Sequence, residues 1–206
     1  MQNNINSTID NQRNMLAGIS HDLKTPLTRI NLMIEELNDY DLRNSISNNI
    51  SEMNLMLNHY LDFIKNEKNE NLDDVNTELI INEVSKNYEN LEIIKNDNHM
   101  VLVRKSQISR ALINILDNAN KFAKNIFLTS EILERKWIIK VDDDGPGTTL
   151  SQEEMVKPFI KGSEQLNQGT GLGLSIVQKL VKLNNGELKF GKSQYGGLRV
   201  IISLDI

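Results

Sequence analysis

From about residue 5 to residue 66 the apolar residues recur at helical spacing, and after residue 74 the pattern changes to short alternating runs mixed with further helical ones. That switch of period constrains the fold most: a helical module must precede an α/β module. Leu16, Ile19, Leu23, Ile30, Met33 and Leu37 fall on alternating three- and four-residue steps, with Pro26 in one seam position. Leu42, Ile46, Ile50, Met53, Leu57, Tyr60 and Ile64 do the same after the polar break LNDYD near residues 37 to 41. The spacing predicts an antiparallel helical hairpin. Two helices with a narrow seam bury little apolar surface alone, so the expected solution is a homodimer closing a four-helix bundle. An intramolecular coiled coil that spaces two domains is the alternative.

The charged segment KNEKNENLDD, residues 65 to 74, has no apolar period and reads as a linker dividing the chain into residues 1–66 and 67–206. Beyond it the sequence predicts a helix around TELIINEVSKNYE, with Thr77 as its N-cap, and a strand pair within NLEIIKNDNHMVLVRK. A long helix should run from Ser106 to about Lys124, followed by strands in NIFLTSEIL and KWIIKVDD and a first glycine loop. A short helix near residues 151 to 157, a second glycine loop, a helix from about 172 to 184 and two closing strands complete a two-layer α/β sandwich.

Composition narrows the function classes. With 39% hydrophobic and 25% charged residues the 206-residue chain is of the soluble folded kind, and a net charge of -5 argues against bulk nucleic-acid binding. The absence of cysteine excludes disulfides and thiolate metal sites. The polar start MQNNINSTIDNQRN carries no signal-peptide apolar region, and no run of about 20 apolar residues occurs. A soluble chain is expected.

In SHDLKTPL, residues 20 to 27, His21 takes heptad position f if Leu16 and Leu23 take a, so it faces away from the seam. Thr25 lies one turn along on nearly the same face, and Asp22 is within reach of the nearer ring nitrogen. Pro26 cannot donate to the Asp22 carbonyl and crowds it, so the helix should bend there. A mid-helix proline costs roughly 3 kcal/mol, and a plain coiled coil has no reason to carry one. An exposed imidazole beside a carboxylate has one nitrogen fixed as a donor and the other free as a nucleophile near neutral pH.

Three further stretches carry chemistry. In SRALINILDNANKFAKN, Ile108, Leu112, Ile115, Ala119 and Phe122 form one apolar stripe, flanked within roughly 60° of arc by Asn114, Asn118 and Lys121. Two amides and an ammonium suit a phosphate chain with Mg²⁺; a solvated helix face is the other reading of this segment alone. In VDDDGPG a strand ends in three aspartates followed by Gly145 and Gly147, which lets backbone approach a flat ligand while a carboxylate accepts from an exocyclic amine. Aligned as an EF-hand on Gly145, the same stretch puts Lys140 at the first calcium-ligand position, so that reading fails. GSEQLNQGTGLGLSIVQKL places Gly169, Gly171 and Gly173 ahead of a helix N-terminus, where free amides and the macrodipole favour phosphate; ordinary turn punctuation is the alternative. GELKFGKS, residues 186 to 193, matches the P-loop pattern, but ELKF alternates like a strand, and the next residues, QYGGLRVIISLDI, read as a turn and another strand where a P-loop needs a helix.

SHDLKTPLTRI resembles the phosphoacceptor box of two-component sensor histidine kinases, in the subfamily where histidine, an acidic residue, two variable positions and Thr or Asn precede a proline. The later stretches resemble, in that family's order, its N box (Asn114, Asn118, Lys121, Phe122), its first glycine box (Asp143, Gly145, Gly147), its F box around Phe159, and its second glycine box (Gly169, Thr170, Gly171, Leu172, Gly173) with a short ATP lid. Within the family the chain is most similar to the cytoplasmic part of an osmosensor kinase. The resemblance implies a dimerisation and histidine phosphotransfer domain over residues 1–66 and a GHKL-type ATP-binding domain over residues 67–206. It implies ATP and Mg²⁺ as cofactors, with Asn114 and Asn118 on the metal and phosphates, Lys121 and Phe122 on the nucleotide, and Asp143 on adenine. His21 would accept phosphate, Asp22 act as base or orienting group, and Thr25 assist dephosphorylation of the regulator. The implied partners are a second copy of the chain and the receiver domain of a response regulator, OmpR-like in kind, with no nucleic acid. The implied location is cytoplasmic, tied to the inner membrane only through segments absent from this sequence. Two other classes compete: a GHKL ATPase of the chaperone or mismatch-repair kind, which needs no exposed histidine beside a helix-bending proline, and a kinase-inactive scaffold or phosphatase.

Overall fold

The structure, a computed structural model, describes residues 26–30, 32–34, 39–64, 70–160 and 171–206. The backbone divides into two compact units, Met1–Asn66 and Glu67–Ile206.

In the first unit residues 26–30 and 32–34 are helical, and helix α1 spans Tyr40–Ile64. Asp39 starts α1: its carboxylate accepts from the Leu42 amide at 3.0 Å and its carbonyl from the Arg43 amide at 2.9 Å, the N-cap arrangement for which aspartate is well suited. The two arms meet through Leu27, Ile34 and Ile50, with Ile46 and Leu57 packed alongside. The second arm thus uses residues of its predicted seam. The first arm does not: Pro26 is exposed, and Ile30 and Met33 are 44% and 66% exposed, while Leu27 and Ile34 take the contact. The apolar residues at 27, 30, 33 and 34 form a stripe wider than a two-helix seam, and one chain buries only one edge of it. The remaining first-arm seam residues, Leu16, Ile19, Leu23 and Leu37, lie outside the described residues, as do the side chains of Tyr60 and Ile64.

The second unit runs β1 (Asp73–Asn76), α2 (Thr77–Ser85), β2 (Leu91–Asn96), β3 (Met100–Val103), α3 (Lys105–Phe122), β4 (Ile126–Leu133), β5 (Lys136–Asp143), α4 (Gln152–Met155), α5 (Gly173–Leu183), β6 (Glu187–Lys192) and β7 (Leu198–Asp205). Five strands form one sheet in the order β2-β4-β5-β7-β6, with β2 parallel to β4 and the other pairs antiparallel. Period-two alternation buries Ile126 and Leu128 of β4, Trp137, Ile139 and Val141 of β5, and Val200, Ile202 and Leu204 of β7. Helices α3 and α5 supply the other half of this core through Ile108, Leu112, Ile115, Ile176, Val177 and Leu180. On the opposite sheet face a shallow cavity of about 250 Å³ is lined by groups including Phe127, Lys140, Asp142, Tyr195 and Arg199. Its charges are already paired, Arg199 with Asp142 at 2.8 Å and Lys140 with Glu131 at 2.6 Å.

Three local expectations need correction. Residues 73 and 74, read as linker, belong to β1, because Asp73 and Asp74 pair with Val103 and Leu102. The N-cap of α2 is Asn76, whose side chain accepts from the Leu79 amide at 3.2 Å, not Thr77. The Thr77 hydroxyl is instead engaged with the Asp97 carbonyl and the His99 amide. Strands β2 and β3 exist but do not pair: β2 lies on β4 in the large sheet and β3 on β1 in a separate two-stranded one.

Trp137 is fully buried and its indole N–H donates to Ser130 Oγ at 2.9 Å. Trp137→Ala is expected to lose about 3–5 kcal/mol of stability, measured by urea denaturation followed by far-ultraviolet circular dichroism; a loss under about 1 kcal/mol would show that this sheet does not depend on its central aromatic.

Candidate nucleotide site

Strand β5 ends in consecutive aspartates that its alternation sends to opposite faces. Asp142 pairs with Arg199 on the open face. Asp143 turns to the helical side, where it is 7% exposed. Its Oδ1 accepts from the Gly145 amide at 2.9 Å and the Leu198 amide at 3.1 Å, and its carbonyl accepts from the Gly197 amide at 3.1 Å. Oδ2 is the oxygen left for a further donor. Burial pushes this carboxyl above its ordinary pKa; the two amides hold the rise back, and the neighbouring Asp144 and Asp142 add to it. Asp144 faces the end of α3, accepting from the Lys124 and Asn125 amides at 2.8 and 3.0 Å and from Asn125 Nδ2 at 2.7 Å, and the Asn125 contacts above all hold its pKa low.

Glycine is required where these segments touch. A Cβ on Gly145 would meet the Phe122 carbonyl at 2.9 Å, so only glycine lets this loop pass against the C-terminus of α3. A Cβ on Gly197 would overlap Asp143 Oδ1.

On α3 the predicted stripe is present: Ile108, Leu112, Ile115 and Ala119 are buried, Phe122 is half-buried, and beside them Asn114 and Asn118 are half-buried while Lys121 is exposed. Asn114 Nδ2 donates to the Arg110 carbonyl at 2.9 Å, which fixes the amide with Oδ1 beside Gly173, where an added Cβ would lie 3.6 Å away. The helix edge and the start of α5 therefore share one wall. Gly171, at φ 68°, accepts at its carbonyl from the Phe159 amide at 2.9 Å, so the predicted F box and second glycine loop run side by side. Leu172 is buried and the Ser175 hydroxyl donates to its carbonyl at 2.7 Å, anchoring the first turn of α5.

The structure thus brings Asp143 and Gly145 against Phe122 at the end of α3 and the start of α5 against Asn114 farther up α3, while a Cβ added to Gly147 would lie 3.7 Å from the Gly197 carbonyl. His21, Asp22, Thr25, Gly169 and Thr170 lie outside the described residues. Sequence reasoning missed Gly197 and Leu198, which lie in a stretch read only as a turn and a closing strand. The paired glycines in YGGLRV were the available signal, but their target sits 55 positions away along the chain from Leu198. The rejected P-loop stretch is strand β6 leading into β7, as its alternation implies.

Chemically, a buried carboxylate with one open oxygen can accept from the amine of a planar base. The amide oxygens of Asn114 and Asn118 are hard donors of the kind Mg²⁺ takes. The first turn of α5 offers amides without intrahelical partners to phosphate oxygens.

Known proteins point the same way. Residues 11–69 match the His Kinase A (phospho-acceptor) domain, and residues 104–206 match the histidine kinase-, DNA gyrase B-, and HSP90-like ATPase family. The sensor histidine kinase GtrS of Pseudomonas aeruginosa is 29% identical over 99% of this chain and 44% of its own length. The NMR structure of the kinase domain of the Escherichia coli osmosensor EnvZ is 31% identical, with a TM-score of 0.51 over 66% of this chain and 89% of that one. Full-length ShkA in complex with AMPPNP shares the fold, with a TM-score of 0.70 at 20% identity over 93% of this chain and 45% of its own. The chain spans about half the length of the curated relatives it matches. On the two family matches together, one over each unit, the chain belongs to the sensor histidine kinases of two-component systems.

Proposed function

We propose that this chain transfers the γ-phosphate of ATP to His21 and passes it to an aspartate on the receiver domain of a response regulator, OmpR-like in kind. The observation that carries the reading is Asp143: two backbone amides occupy Oδ1 and leave Oδ2, buried, for the adenine amine. Residues 67–206 are the ATP-binding domain in this account, with Gly145 and Gly147 shaping the base pocket and Lys121 and Phe122 contacting the nucleotide. Gly169, Thr170, Gly171, Leu172 and Gly173 lead the chain past the phosphates. Residues 1–66 are the phosphotransfer domain, and they dimerise through the apolar residues a single chain leaves uncovered, Ile30, Met33, Leu42 and Met53. Cytoplasmic placement, as the inner portion of a membrane sensor, belongs to the same proposal.

In the transfer step the unprotonated ring nitrogen of His21 attacks the γ-phosphorus, the bond to the β–γ bridging oxygen breaks, and ADP leaves with that electron pair. Asp22 accepts from the other ring N–H and so fixes which nitrogen is the nucleophile. Asn114 and Asn118 would hold Mg²⁺, which when bound neutralises charge on the β- and γ-oxygens. The chain's own part is mainly positioning, with Lys121 adding a cation to the phosphates. Acceptor and donor sit on separate units, so the segment between them must let one reach the other.

The test is a time course with labelled ATP, Mg²⁺ and a purified receiver domain. Label is expected first on the chain and then on the receiver, whereas steady release of free phosphate with no labelled chain would favour a plain ATPase. In the same assay Thr25→Ala should keep autophosphorylation within about threefold and lose at least about tenfold in dephosphorylation of the regulator, the size expected for removing one group that orients water. Equal loss of both would show that Thr25 shapes the helix rather than the hydrolytic step.

A further inference from the structure

Helix α3, which carries Asn114, Asn118 and Lys121, starts without a cap of its own. Its N-cap residue is Arg104, whose side chain makes no capping hydrogen bond, and a guanidinium has no acceptor to offer. The cap comes from 36 positions upstream: Glu70 accepts from the Ser106 amide at 2.9 Å through Oε1 and from the Ser106 hydroxyl at 2.5 Å through Oε2. A carboxylate there satisfies an orphan donor and complements the positive end of the helix. Glu70 stands in the stretch read from sequence as linker.

Arg104 completes the arrangement. Its Nε donates to the Glu70 carbonyl at 2.8 Å and its Nη1 to the Leu183 carbonyl at 2.7 Å, at the C-terminus of α5. Its amide donates to Asn184 Oδ1 at 2.8 Å, and Asn184 Nδ2 donates to Gln107 Oε1 at 2.9 Å and to the Leu180 carbonyl at 3.0 Å. One clasp therefore binds the end of the linker, the start of α3 and the end of α5. The same two helices meet again where the start of α5 lies against the middle of α3, with Gly173 beside Asn114 Oδ1.

We infer that Glu70 and Arg104 are positioning residues for the nucleotide: by locking the linker to α3 and α5 they set how the Asn114 edge stands against the glycine loop. Resting on the nucleotide reading above, this makes nucleotide binding and linker anchoring linked equilibria, each strengthening the other by the same factor. Packed helices slide as units rather than deform, so a change at the clasp reaches the contact of Asn114 with the start of α5.

The experiment uses the full chain and AMPPNP. Glu70→Ala and Arg104→Ala are each expected to weaken AMPPNP binding about five- to tenfold, within the usual size of coupling between sites. Glu70→Gln, whose amide oxygen still accepts from Ser106, should stay within about twofold. Lys105→Ala, which removes only an exposed pair with Glu83, should change nothing beyond about twofold. Reciprocity supplies a readout that needs no substitution: saturating AMPPNP should slow hydrogen exchange of the Ser106 amide in the unaltered chain by a similar five- to tenfold. Affinities within twofold of the unaltered chain for both alanine variants, or Ser106 exchange indifferent to AMPPNP, would overturn the coupling. No AMPPNP binding by the unaltered chain would sink the nucleotide reading itself, and the coupling with it.

Discussion

Asp143→Asn is expected to weaken ATP binding about 30- to 100-fold, roughly 2–3 kcal/mol, without unfolding the chain. The reason lies in the two amides already on Oδ1. Gly145 and Leu198 both donate to that atom, so an asparagine must place its carbonyl oxygen there and its NH₂ where Oδ2 was. An NH₂ then faces the adenine amine, donor against donor, instead of accepting from it. Selectivity should change with affinity: the unaltered chain is expected to prefer ATP to ITP, which presents a carbonyl at that position, and the Asp143→Asn variant to narrow or reverse the preference. Titration calorimetry with both nucleotides checks this, and binding within threefold with the preference intact would reduce Asp143 to a structural hub.

The raised pKa of Asp143 gives the same site a pH dependence. Its cause is first burial, then the adjacent Asp144 and Asp142, against the pull of two amide donors. Binding an amine needs the ionised carboxylate, and a proton on Oδ2 would turn the acceptor into a donor. ATP affinity should therefore be full above the raised pKa and fall as pH drops through it, beginning at a higher pH than for an ordinary carboxylate. The nucleotide phosphates also titrate under mildly acid conditions, so the discriminating quantity is the ratio of ATP to ITP affinity, to which the phosphates contribute equally.

How much of this was legible in the sequence depended on how local the deciding contact is. Strand β5 and its terminal Asp143 were readable because alternation ends in a glycine loop within a few residues, and the edge formed by Asn114, Asn118 and Lys121 because helical geometry fixes their arc. Partners set by distant pairing were not. Strand β2 is short and rich in β-branched residues as a strand should be, but nothing in its own residues says that Leu91 lies opposite Ile126 rather than beside β3. Asn76 and Thr77 are both capping residues, and only the Asp97 and His99 contacts of Thr77 decide between them. In the first arm the wide apolar stripe left the seam open to a shift from Ile30 and Met33 to Leu27 and Ile34. Glu70 looked like a linker charge because its function depends on Ser106 and Arg104.

His21→Ala should abolish autophosphorylation altogether, the largest effect expected of any single substitution here. Removing the imidazole removes the atom that forms the new bond, so no residual reaction at that site can remain. The chemistry of the bond makes the measurement specific: a phosphoryl group on an imidazole nitrogen is lost in acid, where ring protonation gives a neutral leaving group, and survives base, in which an acyl phosphate is lost. Serine and threonine esters survive acid. The most direct test of the account is therefore incubation of the full chain with γ-labelled ATP and Mg²⁺, followed by acid and base treatment. Label that is acid-labile and base-stable in the unaltered chain and absent in His21→Ala is the predicted result; label that persists in His21→Ala, or that survives acid, would contradict it.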